Sequence, residues 1–239
     1  MQKLFTKEEY IEQLYFIARQ KNCYGYGAFG APADYEYTGR PYEDNRQRYN
    51  APHAPAGSFL FDCAGFAYKA IPWGFSADQT RCYGGAVVPA KGEPLSELNT
   101  NNILAICNDV SEDFSNIQPA EVLYLPGHVG VYVGNGLALE CTSGWNEYRI
   151  LETAVENIVG KDSFISMYSR TWTKHGKLPF IDYESEVKPV DPDYIVKELE
   201  AATKNLDNAL EELSLVEGIL EDISQSIINL KGVVTNENG

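Results

Sequence analysis

Residues 126–141, PGHVGVYVGNGLALEC, constrain the fold more than any other stretch, because they read as two strands around a glycine-rich turn. Burial selects their register. A two-residue Asn135-Gly136 turn would set Val131 opposite Glu140 and put a carboxylate among valines. A three-residue loop, Gly134-Asn135-Gly136, instead pairs Val133 with Leu137, Val131 with Leu139 and Val129 with Cys141, an apolar face throughout. The second register is expected. On the reverse face Gly130 then stands opposite Glu140 with His128 as its diagonal neighbour, and the bare Cα of Gly130 leaves room between the two side chains. Glu140 would there hold one imidazole nitrogen and leave the other for a reacting group. The plainer alternative is a solvated His and Glu on an open sheet face.

FDCAGF, residues 61–66, supplies a candidate reacting group. Cys63 falls in the first turn of an expected helix that begins at Asp62 and ends by Pro72, with Phe66, Ala67 and Ala70 inward. An ordinary thiol is only a few per cent thiolate at neutral pH, and a helix N-terminus or a neighbouring imidazolium lowers its pKa. Without such a partner, Cys63 would read as one of five small buried hydrophobes. Of the three histidines, His53 lies in APHAP and His175 in TKHGK, where solvated or locally hydrogen-bonded roles are expected. His128, at the start of a strand, is the partner the geometry offers.

FDCAGF and, some 60 residues on, GHVGVYVGNGLALE resemble the two signature blocks of the NlpC-type cell-wall peptidases, papain-like cysteine hydrolases that cleave peptidoglycan peptides. The resemblance spans roughly residues 5–180. It implies Cys63 as nucleophile, His128 as base and Glu140 as the polar residue that orients the imidazole, a place where members commonly carry His, Asn or Gln. Tyr24, in NCYGYG, stands where the family has an active-site tyrosine, with Tyr26 in place of the usual Trp; Tyr24 and Asp62 are expected to bind substrate. Ala64 replaces a usual Ser, and the longer stretch from Tyr24 to Cys63 is expected to add a flap over the cleft. Glu140 resembles the acidic third member of the CHAP amidases of phage lysins. With WTKHGKLP near the end of the domain, the chain looks similar to a bacteriophage endolysin. The implied reaction is attack of the Cys63 thiolate on an amide carbonyl, with the backbone N–H of Cys63 as oxyanion donor and a thioester intermediate.

Elsewhere, Thr6 and Glu9 form a capping box ahead of a helix face of Ile11, Leu14, Tyr15 and Ala18. Residues 23–60, rich in Gly, Pro, Tyr and charge, read as a long loop. Strands are expected at 121–125, 128–133, 137–141 and, in SFISMYS, 163–169. Helices early and strands late give an α+β class, a papain-like fold with N-terminal helices packed on an antiparallel sheet.

The chain carries 34 acidic and 19 basic residues, a net charge of -15. Residues 184–239 hold 13 acids and 4 bases, so the charge divides the chain near Tyr183. The expected organisation is a hydrolase domain over 1–183, a linker over 184–191 containing Pro189, a helix over 192–232 opened by Asp191-Pro192, and a disordered tail over 233–239. Apolar or small residues recur at Ile195, Leu199, Ala202, Leu206, Ala209, Leu213, Val216, Leu220, Ile223, Ile227 and Leu230, a coiled-coil seam of about five heptads. A homo-oligomer through 192–232, a trimer or larger, is expected. The alternative is one amphipathic helix folded back on its own domain.

Acidity at this level disfavours a nucleic-acid or anionic-lipid partner, and no apolar run approaches the roughly 20 residues of a membrane span. No cofactor or metal is expected: the five cysteines form no CxxC pair, and the acids Asp34, Glu36, Glu43 and Asp44 read as a solvated loop rather than a calcium site. MQKLFTKEEY has no apolar h-region, so synthesis in a host cytoplasm without a signal peptide, and action at the wall after release, are expected. The functional expectation is a peptidoglycan hydrolase, amidase or endopeptidase, acting on stem peptides. The competing readings are a degenerate wall-binding or phage structural protein and a cysteine acyltransferase.

Overall fold

The computed structural model describes residues 3–77, 99–160, 164 and 166–184, together with 203, 214, 216, 218–220, 223 and 224. The chain divides into two compact units, Met1–Ser185 and Glu186–Gly239.

In chain order, the elements of the first unit are β1 (Phe5–Thr6), α1 (Lys7–Ala18), β2 (Asn22–Tyr24), β3 (Phe29–Pro32), α2 (Asn45–Arg48) and β4 (Phe59–Phe61). Then follow a short helix whose Gly65–Lys69 part is π-helical, β5 (Asn108–Ser111), β6 (Val122–Leu125), β7 (His128–Gly134), β8 (Leu137–Thr142) and β9 (Arg149–Val155). The last elements are α3 (Glu156–Val159), β10 (Ser169–Arg170), β11 (Lys174–Lys177) and β12 (Ile181–Asp182). A seven-stranded sheet in the order β10-β9-β8-β7-β6-β11-β5 forms the body, antiparallel except where β10 meets β9. This mixture of helix and mainly antiparallel sheet is α+β.

The capping box of α1 is complete: Glu9 N–H donates to Thr6 Oγ1 at 3.1 Å and Thr6 N–H to Glu9 Oε2 at 2.9 Å. The helix turns Tyr10, Leu14 and Ile17 inward, joining Phe61, Cys63, Phe66 and Ala67 against Val129, Val131, Leu139 and Cys141 of the sheet. The inward face is thus one residue displaced from the Ile11, Tyr15 and Ala18 side, which is only partly buried.

The hairpin reconciles the two registers weighed from sequence. Val131 pairs with Leu139, as apolar burial demands, yet Gly134 pairs with Leu137 across a two-residue turn. Asn135 (φ 54°) and Gly136 (φ 77°) both take the left-handed conformation of a type I′ turn. A bulge between Tyr132 and Gly134 absorbs the difference, so Val133 does not pair with Leu137 as the loop argument required. Nor is the reverse face open: Trp172, Tyr132, Ala138, Leu123, Val155 and Phe114 form a second apolar cluster there.

Three further expectations change. Residues 23–60 are not one long loop: β2, β4 and β3 form a three-stranded sheet over a small core of Cys23, Ala28, Ala31, Tyr49 and Leu60. Within SFISMYS, the described Phe164, Ser166 and Met167 are bend and turn, Tyr168 has no regular structure, and only Ser169 is in a strand, the start of the two-residue β10. His175 is neither solvated nor superficial: it is 2 % exposed on β11, paired through Nδ1 with buried Glu121, while Nε2 lies 2.9 Å from the Asp113 carbonyl.

In the second unit Thr203, Ser214, Val216, Gly218, Ile219, Leu220, Ile223 and Ser224 are helical and exposed. The rest of the coil expected over 192–232, the linker beyond Glu184 and the tail over 233–239 lie outside the described residues.

Candidate active site

Cys63 is set at the head of its helix by a tight crossing. Asp62 N–H donates to the Ala28 carbonyl at 2.8 Å, and a Cβ on Gly65 would come within 2.0 Å of that same oxygen, so only glycine lets the helix pass the 25–28 turn. The Asp62 carboxylate caps the helix, accepting Gly65 N–H through Oδ1 at 2.5 Å, and ties down the turn by accepting Gly27 N–H through Oδ2 at 2.8 Å. Both oxygens expected to face substrate therefore hold backbone. Tyr24 ends β2, which runs parallel to β4 and pairs Tyr24 with Phe61. A cleft of about 530 Å³ opens over Cys63 and is lined by Tyr24, Tyr26, Asp62, Lys69 and Gly127.

Cys63 is 6 % exposed, and the backbone N–H of Val129, the residue after His128, is among the groups that act on its thiol. His128 Nε2 lies 2.6 Å from Glu140 Oε2, leaving Nδ1 as the nitrogen not committed to Glu140. Glu140 is fully buried. Its Oε1 accepts the Thr153 hydroxyl at 2.7 Å, and its two oxygens take Arg170 Nε at 3.1 and 3.0 Å and an Arg170 terminal nitrogen at 2.8 Å. Burial works against the charge of Glu140, but the hydrogen bonds and charges of His128 and Arg170 outweigh it and hold its pKa below the ordinary value.

The thiol departs from expectation. Burial, then the Asp62 carboxylate, push the Cys63 pKa up to about 11, against the lowering by the N–H groups of Val129, Ala64 and Cys63 itself. The helix N-terminus does not win here because the sulfur is nearly removed from water. At rest Cys63 is a thiol, so a base must take its proton as it reacts. Burial and the nearby Cys63 and Asp62 also raise the Tyr24 phenol, which stays a neutral donor.

Gly130 has a different task from the one its position suggested. A Cβ there would lie 2.9 Å from Trp172 Cη2, so the space beside Gly130 belongs to the indole and not to the His–Glu contact. Trp172 in turn stacks on the His128 ring, with centroids 5.7 Å apart and planes at 16°.

Three solved structures provide a comparison. The chain is similar to NlpC2 from Trichomonas vaginalis at 13 % identity and a TM-score of 0.37, covering 74 % of this chain and 48 % of that one. NlpC1 from the same organism matches at 13 % identity and 0.33, covering 72 % and 44 %. The peptidoglycan hydrolase RipB from Mycobacterium tuberculosis matches at 16 % identity and 0.36, covering 74 % and 67 %. The chain thus spans less than half the length of the two Trichomonas proteins. No family model and no curated relative matches it.

Arg170, Trp172 and Thr153 were not legible as site residues. Thr153 is reached only through the pairing of β8 with β9, and Arg170 only because β10 runs parallel beside β9. A signal existed in Glu140 itself: a carboxylate on a strand buried on both faces requires a cation and further donors.

Proposed function

We propose that this protein is a peptidoglycan hydrolase that cleaves an amide bond at the stem peptide through Cys63, His128 and Glu140. The observation that carries the reading is the part-buried His128–Glu140 contact of 2.6 Å, one residue from Val129, whose backbone N–H acts on the Cys63 thiol. Because the resting thiol is protonated, His128 Nδ1 removes its proton as the sulfur attacks the carbonyl carbon. Glu140, already charge-balanced by Arg170, fixes the imidazole orientation and stabilises the imidazolium that forms. The carbonyl oxygen takes up charge facing the Cys63 N–H, the imidazolium gives its proton to the leaving amine, and water then cleaves the thioester. Tyr24 offers its phenol to substrate, and Asp62 shapes the wall on which substrate lies.

The wider role in this reading is endolysin-like: synthesis in a host cytoplasm, action at the wall, and assembly through the helix at 192–232. The half-exposed Val216, Leu220 and Ile223, all seam positions, favour a partner for that helix. Light scattering of the full chain against residues 1–183 tests assembly, and identical monomer masses would refute it.

A zymogram on purified walls tests the activity. Wild type clears and Cys63→Ala does not; equal clearing by both, or by neither, removes the assignment. The second reading, a wall-binding protein without turnover, is favoured by the raised thiol alone and requires that neither protein clears while both remain on the wall.

A further inference from the structure

Arg170 engages Glu140 through one edge of its guanidinium, Nε at 3.0 Å and a terminal nitrogen at 2.8 Å from the oxygen that His128 meets. The rest of the side chain is less tightly held. It is 21 % exposed and leaves β10, a strand of two residues. A long side chain in that setting has several rotamers open to it, and contact with the flat face of the guanidinium is what selects one.

That contact comes from the connection between β8 and β9. The Arg170 guanidinium carbon sits over the Trp145 ring, 4.3 Å from its centroid, and Trp145 stacks in turn on Tyr168, with centroids 4.8 Å apart and planes at 11°. Tyr168 is itself anchored, since its carbonyl accepts Ala154 N–H from β9 at 2.9 Å. The Trp172 ring, which stacks on His128, lies 5.7 Å from the same guanidinium carbon. Ring and cation contacts therefore run unbroken from Tyr168 through Trp145, Arg170 and Trp172 to His128.

Trp145 reaches this place against its backbone preference. Its φ of 54° and ψ of 22° are left-handed, a conformation that bulky aromatic residues rarely adopt. Gly144, next to it, is used otherwise: its N–H donates to Thr142 Oγ1 at 2.9 Å, and a Cβ there would come within 3.2 Å of that oxygen. Trp145 remains 37 % exposed, so its indole is laid over Arg170 rather than sunk into a core.

We propose that Trp145 is a positioning residue of this site, its indole holding the Arg170 guanidinium in place on Glu140 so that the carboxylate stays aimed at His128. This role rests on the hydrolase reading and deepens it. Trp145 lies outside the described walls of the Cys63 cleft and acts through Arg170.

The test follows release of free amino groups from purified wall by the full chain, at limiting and saturating amounts of wall and equal folded concentration. Trp145→Leu should lower the saturating rate about tenfold and leave the half-saturating amount of wall within about twofold, because orientation and not substrate binding is lost. Trp145→Phe, which restores a ring face, should recover most of the rate. In an Arg170→Lys background, which keeps the charge and discards the planar fork, Trp145→Leu should lower the rate no further. NMR of isotopically labelled protein reads the contact without turnover. The Arg170 Nε–H signal, sharp while Glu140 holds it, should broaden by exchange with water in Trp145→Leu and return in Trp145→Phe. A wild-type rate in Trp145→Leu, a loss that Trp145→Phe does not recover, an equal loss in the Arg170→Lys background, or an unchanged Arg170 Nε–H signal each overturns the positioning role, while Cys63-dependent release leaves the hydrolase reading standing. Absence of Cys63-dependent release by wild type removes both.

Discussion

His128 Nε2 stands 2.6 Å from Glu140 Oε2, and the carboxylate it meets is shared with the Arg170 guanidinium and the Thr153 hydroxyl. Removing the charge leaves the part-exposed Arg170 without its anion. Glu140→Gln is expected to cost about 1–3 kcal/mol of stability, read from chemical unfolding, because the part-exposed Arg170 loses its charged partner. It should lower kcat/KM on the order of 10²-fold or more by releasing the imidazole. The acid side follows from the sign of the Glu140 shift: its folded pKa lies below the ordinary 4.5. Its stabilisation is therefore present above that value and lost as pH falls through the folded pKa, and Glu140→Gln should flatten this part of the stability profile.

The thiol titrates in the opposite direction. With the Cys63 pKa at about 11, iodoacetamide labelling of the resting protein should stay slow at neutral pH and climb toward that value. Asp62 is the second cause of the rise, and Asn keeps one acceptor for the Gly65 helix cap while giving up the bond to Gly27 N–H. Asp62→Asn should therefore move the labelling profile to lower pH and speed labelling several-fold at pH 8. A profile that does not move would show that the Asp62 charge does not reach the sulfur.

Gly130→Ala tests the slot that holds the imidazole. The new Cβ meets Trp172 at 2.9 Å and the Leu139 carbonyl oxygen at 3.2 Å, so the indole must shift off His128. Overpacking of this kind costs about 1–3 kcal/mol. We expect a lower melting temperature together with lost wall clearing, and unchanged stability would contradict the packing.

The second His–Glu pair provides the control. His175 and Glu121 are more completely buried than His128 and Glu140 and tie β11 to the residue before β6, and the Asp113 carbonyl takes the other imidazole nitrogen. His175→Leu should destabilise by about 3 kcal/mol or more by stranding Glu121. The clearing rate of the folded fraction and the Cys63 labelling profile should be unchanged.

The sequence carried the parts of this site that lie on one hairpin and one helix. Val131 opposite Leu139 followed from burial alone, and the capping box of α1 from Thr6 and Glu9. What escaped was held by long-range partners. β9 has no clean alternation because Ile150 enters the main core while Thr153 serves Glu140. β11, KHGK, has no apolar residue to mark it, since its inward group is a histidine satisfied by a glutamate. The core beneath 23–60 is built largely from alanines, too small to give a hydrophobic rhythm. The raised Cys63 pKa escaped for the same reason: a helix start is visible in sequence, and the depth at which it is buried is not.

Cleavage of a wall amide by Cys63 with His128 as its base is open to one direct experiment. The direct measurement is the rate at which purified wall gains free amino groups under wild type, Cys63→Ala and His128→Ala at equal folded concentration. Steady release by wild type and a loss on the order of 10⁴-fold in each variant are expected. Release by Cys63→Ala at the wild-type rate would contradict this mechanism.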